Sequence, residues 1–254
     1  MSGDPFELAF TPAEFQRRLQ EVRRGMRDRA LDLLLVFSPE NVSYITGYET
    51  IGYSSFLCLL VPLEGAPRMV VREMELDVAH ATTWLTEFAT VSDGEDPVQV
   101  ASGVVSEIAG AGDAVGVEET SVFLPPRTWR AVVDAVARFG ARPVDGSGLV
   151  EPVRRIKSDE ELSLIRSACD LAVAGMAAAV EAVNAGATEN EVASVAFTAM
   201  VDGGSDFLSG GPIVTSGARG SIAHTTFGNR TIVDGDPVLI ELGACRRRYG
   251  GALM

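Results

Sequence analysis

Residues 209–243 read SGGPIVTSGARGSIAHTTFGNRTIVDGDPVLIELG: glycine-punctuated turns around one histidine, then a short apolar strand over 237–242. That histidine, His224, is one of two in the chain. An imidazole titrates near neutrality and can serve as general base and general acid. Gly220 and Gly228 flank it, and glycines let a backbone approach a ligand closely. A structural histidine bonded to a backbone carbonyl is the alternative that the local sequence leaves open. Glu241 interrupts the apolar run VLIELGA, at a position expected to be buried. A buried carboxylate must be paired, hydrogen-bonded or protonated. Glu241 is therefore read as a metal ligand or cation binder, against an outward-facing strand residue.

Upstream, two capping boxes open helices: Ser158 with Glu161, and Thr188 with Glu191. The first helix is alanine-rich and runs to about Asn184, and the second ends at Gly203-Gly204. Two helices followed by glycine-broken strands make an α+β unit. A boundary falls near residues 146–151, where the texture changes. Before it, apolar runs at 32–37, 56–61, 68–71, 87–91 and 114–118, with a short closing strand at 141–144, alternate with helical patterns. The first helix opens on Thr11-Pro12-Ala13-Glu14. This half is an α/β layer domain. It holds no GxGxxG and no phosphate-binding loop.

A net charge of −14 and a pI near 4.6 argue against a nucleic-acid partner. Cys58, Cys169 and Cys245 are scattered in apolar runs and read as small buried residues, neither disulfides nor a zinc ribbon. The start, MSGDPFELAF, lacks the basic and apolar regions of a signal peptide. No run reaches the roughly 18 apolar residues of a membrane span, so a cytoplasmic protein without a membrane partner is expected. His80 reads as a surface or packing residue, Tyr48, Tyr53 and Phe56 as packing, and Arg246-Arg247-Arg248 as a solvated charge run.

Several motifs taken together resemble the pita-bread-fold enzymes: creatinase, prolidase, aminopeptidase P and ectoine hydrolase. These are Asn41-Val42-Ser43-Tyr44-Ile45-Thr46-Gly47-Tyr48, the stretch from Val153 to Arg166, Gly186-Ala187-Thr188-Glu189, Ile222-Ala223-His224, and Gly235-Asp236-Pro237-Val238-Leu239-Ile240. The resemblance implies an α/β creatinase-type N-terminal domain at 1–149 and an incomplete α+β pita-bread catalytic domain at 150–254. It also implies a homodimer in which one subunit's N-terminal domain helps to close the other's site.

The departures are informative. The metal-dependent members carry two Asp on this hairpin. The first position holds Glu241 and the second, eleven residues on, holds Ala252. Transition-type cations need donors at about 2.0–2.2 Å, and alanine has none. The family's later ligands, a His and two Glu, would lie past Met254, so no metal ligand is assigned. The chain is expected to be a fragment, inactive alone and prone to aggregate.

The metal-free members act on substrates whose carbon is already polarised by cationic nitrogens. Residues 224–230 and 240–243 are most similar to ectoine hydrolase, which opens a cyclic amidine. The resemblance makes His224 the proton shuttle and Glu241 the holder of the cation, with Tyr53 and Phe227 as substrate-binding residues. Creatinase carries an arginine where Ser55 stands here. The expected activity is metal-independent C–N hydrolysis of a small cyclic amidine or guanidino compound, without a cofactor. The alternatives are an Xaa-Pro metallopeptidase using Mn or Co, and a non-catalytic pita-bread binding module.

Overall fold

The computed structural model describes residues 8–254, so most of the N-terminal stretch read for a leader lies outside the described residues. The chain divides into two compact units, Met1–Ile156 and Lys157–Met254. Each is described by itself.

The first unit is built on a six-stranded mixed sheet. Its strands are β1 (Leu33–Val36), β2 (Cys58–Pro62), β3 (Arg68–Arg72), β4 (Phe88–Val91), β5 (Ala114–Val117) and β6 (Arg142–Asp145), in the order β4-β3-β2-β1-β5-β6. β1 pairs parallel with β5 and antiparallel with β2. Helices α1 (Pro12–Asp28), α2 (Pro39–Thr46) and α3 (Leu76–Thr82) contribute to one core with Leu34, Val36, Leu59 and Val61. Helices α4 (Pro97–Ile108) and α5 (Pro126–Arg138) contribute to the other with Leu33, Leu35, Phe37 and Leu60. Burial on both faces is why these strands read as unbroken apolar runs. Arg18 is fully buried, bonded to Glu14 at 2.8 Å and to the Tyr44 carbonyl at 3.0 Å, with its guanidinium over the Phe10 ring.

The motif at 41–48 has a physical basis here. Thr46 Oγ1 donates to the Val42 carbonyl at 2.7 Å and accepts from the Tyr48 amide at 3.1 Å. Gly47 ends α2 at φ 87°, and a Cβ on it would meet Phe15 Cζ and the Thr82 carbonyl at 2.9 Å. Glu118, just past β5, accepts from the amides of Phe37 and Ser38, both at 2.7 Å, and from the Asn41 side chain. Glu151 and Arg154 of the short helix α6 (Glu151–Arg155) also bond Asn41, which ties residues past 149 to the first unit.

The second unit packs α7 (Asp159–Ala182) and α8 (Glu189–Asp202) on a three-stranded antiparallel sheet: β7 (Gly210–Ser216), β8 (Val238–Arg246) and β9 (Tyr249–Leu253). Both capping boxes form as the sequence predicts. α7 is long and apolar enough by length and composition alone to cross a membrane, a test that core helices of soluble proteins also pass. In this fold its small residues Ala172 and Ala179 pack into the core with Val214, Ile240 and Leu242. Gly251 of β9 lies so close to α7 that a Cβ would sit 2.6 Å from the Cys169 amide nitrogen.

Two sequence expectations are corrected. Arg246-Arg247-Arg248 is no solvated run but the end of a hairpin. Arg246 pairs with Tyr249, and Arg247 and Arg248 both take positive φ, the signature of a type I′ turn. The Arg247 amide donates to Asp206 at 2.6 Å, and the Arg248 guanidinium stacks 4.5 Å from the Phe207 ring centroid. Cys169, expected buried, is exposed, because it lies off the packed stripe of α7. Cys58 and Cys245 are buried, and burial pushes both thiols up.

Candidate functional site

The sheet of the second unit carries helices on one face. Ile240, Leu242 and Ala244 belong to that packed core. Glu241 alternates to the other face and is exposed, opposite Ile213 of β7. The expectation that Glu241 is buried is thus corrected. An unbroken apolar run suggested cover on both faces, but this sheet has cover on one. Among the described residues the Glu241 carboxylate has no ion-pair partner.

Gly243 pairs directly with Ala252 across β8 and β9. Ala252 therefore stands diagonally beside Glu241 on one face. The hairpin register thus brings together two positions that lie eleven residues apart in sequence. A pair of metal ions would need carboxylates at both, and the methyl of Ala252 supplies none. Among the described residues no group of three or more His, Cys, Asp or Glu is arranged to hold a metal. Of these two positions, only Glu241 carries a donor group.

His224 sits in the segment between β7 and β8. A 3-10 turn, Gly217–Ser221, leaves the end of β7, and the Gly217 amide donates to the Pro237 carbonyl at 2.9 Å. The foot of this loop is thus level with the start of β8, about 10 Å along the strand from Glu241 at the usual rise per residue. His224 is exposed at φ 62°, a left-handed conformation that histidine tolerates better than most residues. Its imidazole has no hydrogen-bond partner among the described residues. Phe227, three residues on, is 42% exposed. Tyr53 belongs to the first unit, 45% exposed, with its ring edge-to-face with Phe123 at 6.1 Å. His80 is exposed, its ring centroid 4.6 Å from that of Phe88.

Sequence reading missed the group that holds the loop. Glu189, the first residue of α8, is fully buried. Its Oε1 accepts from the Ser216 amide at 2.7 Å and the Ser216 hydroxyl at 2.8 Å, and its Oε2 from Arg219. Arg230 bonds Ser216 Oγ and, at 2.5 Å, Asp236. The Arg230 guanidinium, with the Val233 amide, holds the Asp236 carboxyl below its ordinary range. Two arginines in a loop of small residues are the signal that could have prompted a search for a buried acid.

The Creatinase/Prolidase N-terminal domain family matches residues 18–156, more than half of the chain. The chain belongs to this family. Metallopeptidase family M24 matches residues 163–253, so the two together account for both units. The fold is the creatinase N-terminal domain followed by pita-bread structure, in a family of hydrolases. An ectoine hydrolase from Halomonas elongata is 24% identical over 261 residues, covering 95% of this chain and 65% of that protein. An Xaa-Pro dipeptidase from Pyrococcus furiosus is 25% identical, covering 92% and 62%. The prolidase structure from Thermococcus sibiricus superposes with a TM-score of 0.80 at 22% identity, over 94% of this chain and 64% of that one. The chain spans less than two thirds of the length of these relatives.

Proposed function

We infer that this creatinase-family chain serves a metal-independent hydrolase that cleaves a C–N bond in a small cyclic amidine or guanidino compound, as the name of its Halomonas relative suggests. The observation that carries the reading is Ala252, placed by strand pairing where a second carboxylate would have to stand beside Glu241. An amidinium carbon carries its own positive polarisation, so hydrolysis requires a proton carrier and an anion for the cation. His224, exposed and unpaired, fits the first role, and Glu241 the second. Neutral His224 takes a proton from water as the water oxygen bonds to the amidinium carbon. The imidazolium then returns that proton to the departing nitrogen as the C–N bond breaks. The new hydroxyl's proton passes to the released amine, so the products are an amide (a urea from a guanidino compound) and an ammonium group that keeps the amidinium's positive charge. Tyr53 and Phe227 are proposed to contact substrate. A cytoplasmic homodimer, with the N-terminal domain of one subunit closing the site of the other, is part of the same proposal.

Incubation of the full-length homologue, in which these residues sit in a complete catalytic domain, with ectoine in EDTA tests this. Ring opening in EDTA supports it. No ring opening, or opening restored only by Mn²⁺, overturns it. An Xaa-Pro metallopeptidase is the second reading, favoured by the Pyrococcus dipeptidase relative. Two bound metal ions per subunit in purified protein would favour that reading instead.

A further inference from the structure

The segment between β7 and β8 is tied at both feet. At one foot, the Ser216 amide and hydroxyl both bond Glu189 Oε1. At the other, residues 228–232 run beside 186–190. Glu189 and Asn190 amides donate to the Arg230 and Gly228 carbonyls at 3.1 and 3.2 Å, and the Ile232 amide donates to the Ala187 carbonyl at 2.8 Å. Between the feet, Arg219 ties the interior of the loop to the buried carboxylate. Its guanidinium bonds Glu189 Oε2, and its Nη2 donates to the Thr226 carbonyl at 2.8 Å. Thr226 is two residues past His224. The Thr225 hydroxyl donates within the loop, to the Ile222 carbonyl at 3.0 Å and the Arg219 carbonyl at 3.4 Å.

A carboxylate in the first turn of a helix can be held in water by the helix dipole alone. Glu189 is instead fully buried, where an ionised group needs a partner. Arg219 is that partner, and its planar fork can serve the carboxylate and a carbonyl together. We propose that Glu189 is the positioning residue for His224: through Arg219 it fixes the backbone at Thr226 and so the direction in which the imidazole is presented. The inference deepens the reading of His224 as proton carrier and takes its functional meaning from it.

The test needs no turnover. The chain has two histidines, so ring ¹³C–¹H spectra report His224 with His80, in the other unit, as internal control. Spectra and amide exchange are compared for the wild-type chain, Glu189→Gln, Arg219→Gln and Arg219→Lys. In Glu189→Gln and Arg219→Gln the His224 signals move and amide exchange over 218–227 quickens at least about tenfold, as local opening of an untethered loop requires, while His80 stays in place. Arg219→Lys, which keeps the charge, restores part of the change. Unmoved His224 signals and unchanged exchange in a folded Glu189→Gln or Arg219→Gln chain overturn the proposal. If Glu189→Gln does not fold, Arg219→Gln decides, because that side chain is already partly exposed. A chain that never opens an amidine leaves these spectra as informative as before, so the two readings fail separately.

Discussion

Gly243 and Ala252 face each other across β8 and β9, which sets Ala252 diagonally beside Glu241 on the uncovered face of the sheet. Diagonal neighbours stand about 7–8 Å apart, close enough for two carboxylates to share a cation. Ala252→Asp is therefore expected to raise the affinity of the chain for Mn²⁺ at least about tenfold by calorimetry. An unchanged affinity would mean that the two positions do not converge.

In the full-length homologue, His224→Ala is expected to lower kcat by roughly 10²–10⁴-fold, the usual share of a general acid–base group. Substrate affinity should stay nearly constant. A variant that keeps its kcat removes the assigned role.

Glu241→Gln should act mainly on KM for a cationic substrate. Loss of a charge-assisted hydrogen bond is worth about 1.5–3 kcal/mol, or roughly 10–100-fold. A neutral analogue should bind both proteins alike, and equal losses for both compounds would contradict the cation role.

Gly251→Ala pushes a methyl group against the backbone of α7. Overpacking of this kind costs about 1–3 kcal/mol. Denaturant unfolding should register the loss in the second unit, and a wild-type midpoint would contradict the close packing of β9 on α7.

Arg230 depresses the folded-state pKa of Asp236. A depressed carboxyl contributes stability that is fully present above its unfolded value, near pH 4, and is lost as pH falls through the lower folded value. Asp236→Asn should therefore melt below wild type at pH 6, with the two curves converging as the pH falls well below the ordinary carboxyl value. A gap that persists undiminished at the acid end contradicts the ion pair.

Much of the first unit was legible because its strands are buried on both faces and its first helix opens on Thr11-Pro12. The site was less legible. Glu189 sits inside a capping box whose working members are Thr188 and Glu191, so it looked like one more acid in a first turn. Its burial arises from Ser216 and Arg219, 27 and 30 residues away, which no local pattern encodes. The hairpin that carries Ala252 was legible only through the family resemblance, because its turn is Arg247-Arg248, where Asn-Gly is the usual local signal. Glu241 was misplaced because periodicity reports apolarity, not which face a helix covers.

Glu118 accepts from the backbone amides of Phe37 and Ser38 at the start of α2, from about eighty positions later in the chain. Local helix formation therefore cannot complete this corner. Ser38 makes no side-chain cap of its own, and Glu118 arrives only once β5 has paired with β1. Such a closure spends loop entropy before its contacts form, which slows folding. The shape of 41–48 thus depends on a contact from far along the chain, and a peptide cut out around α2 is predicted not to hold it.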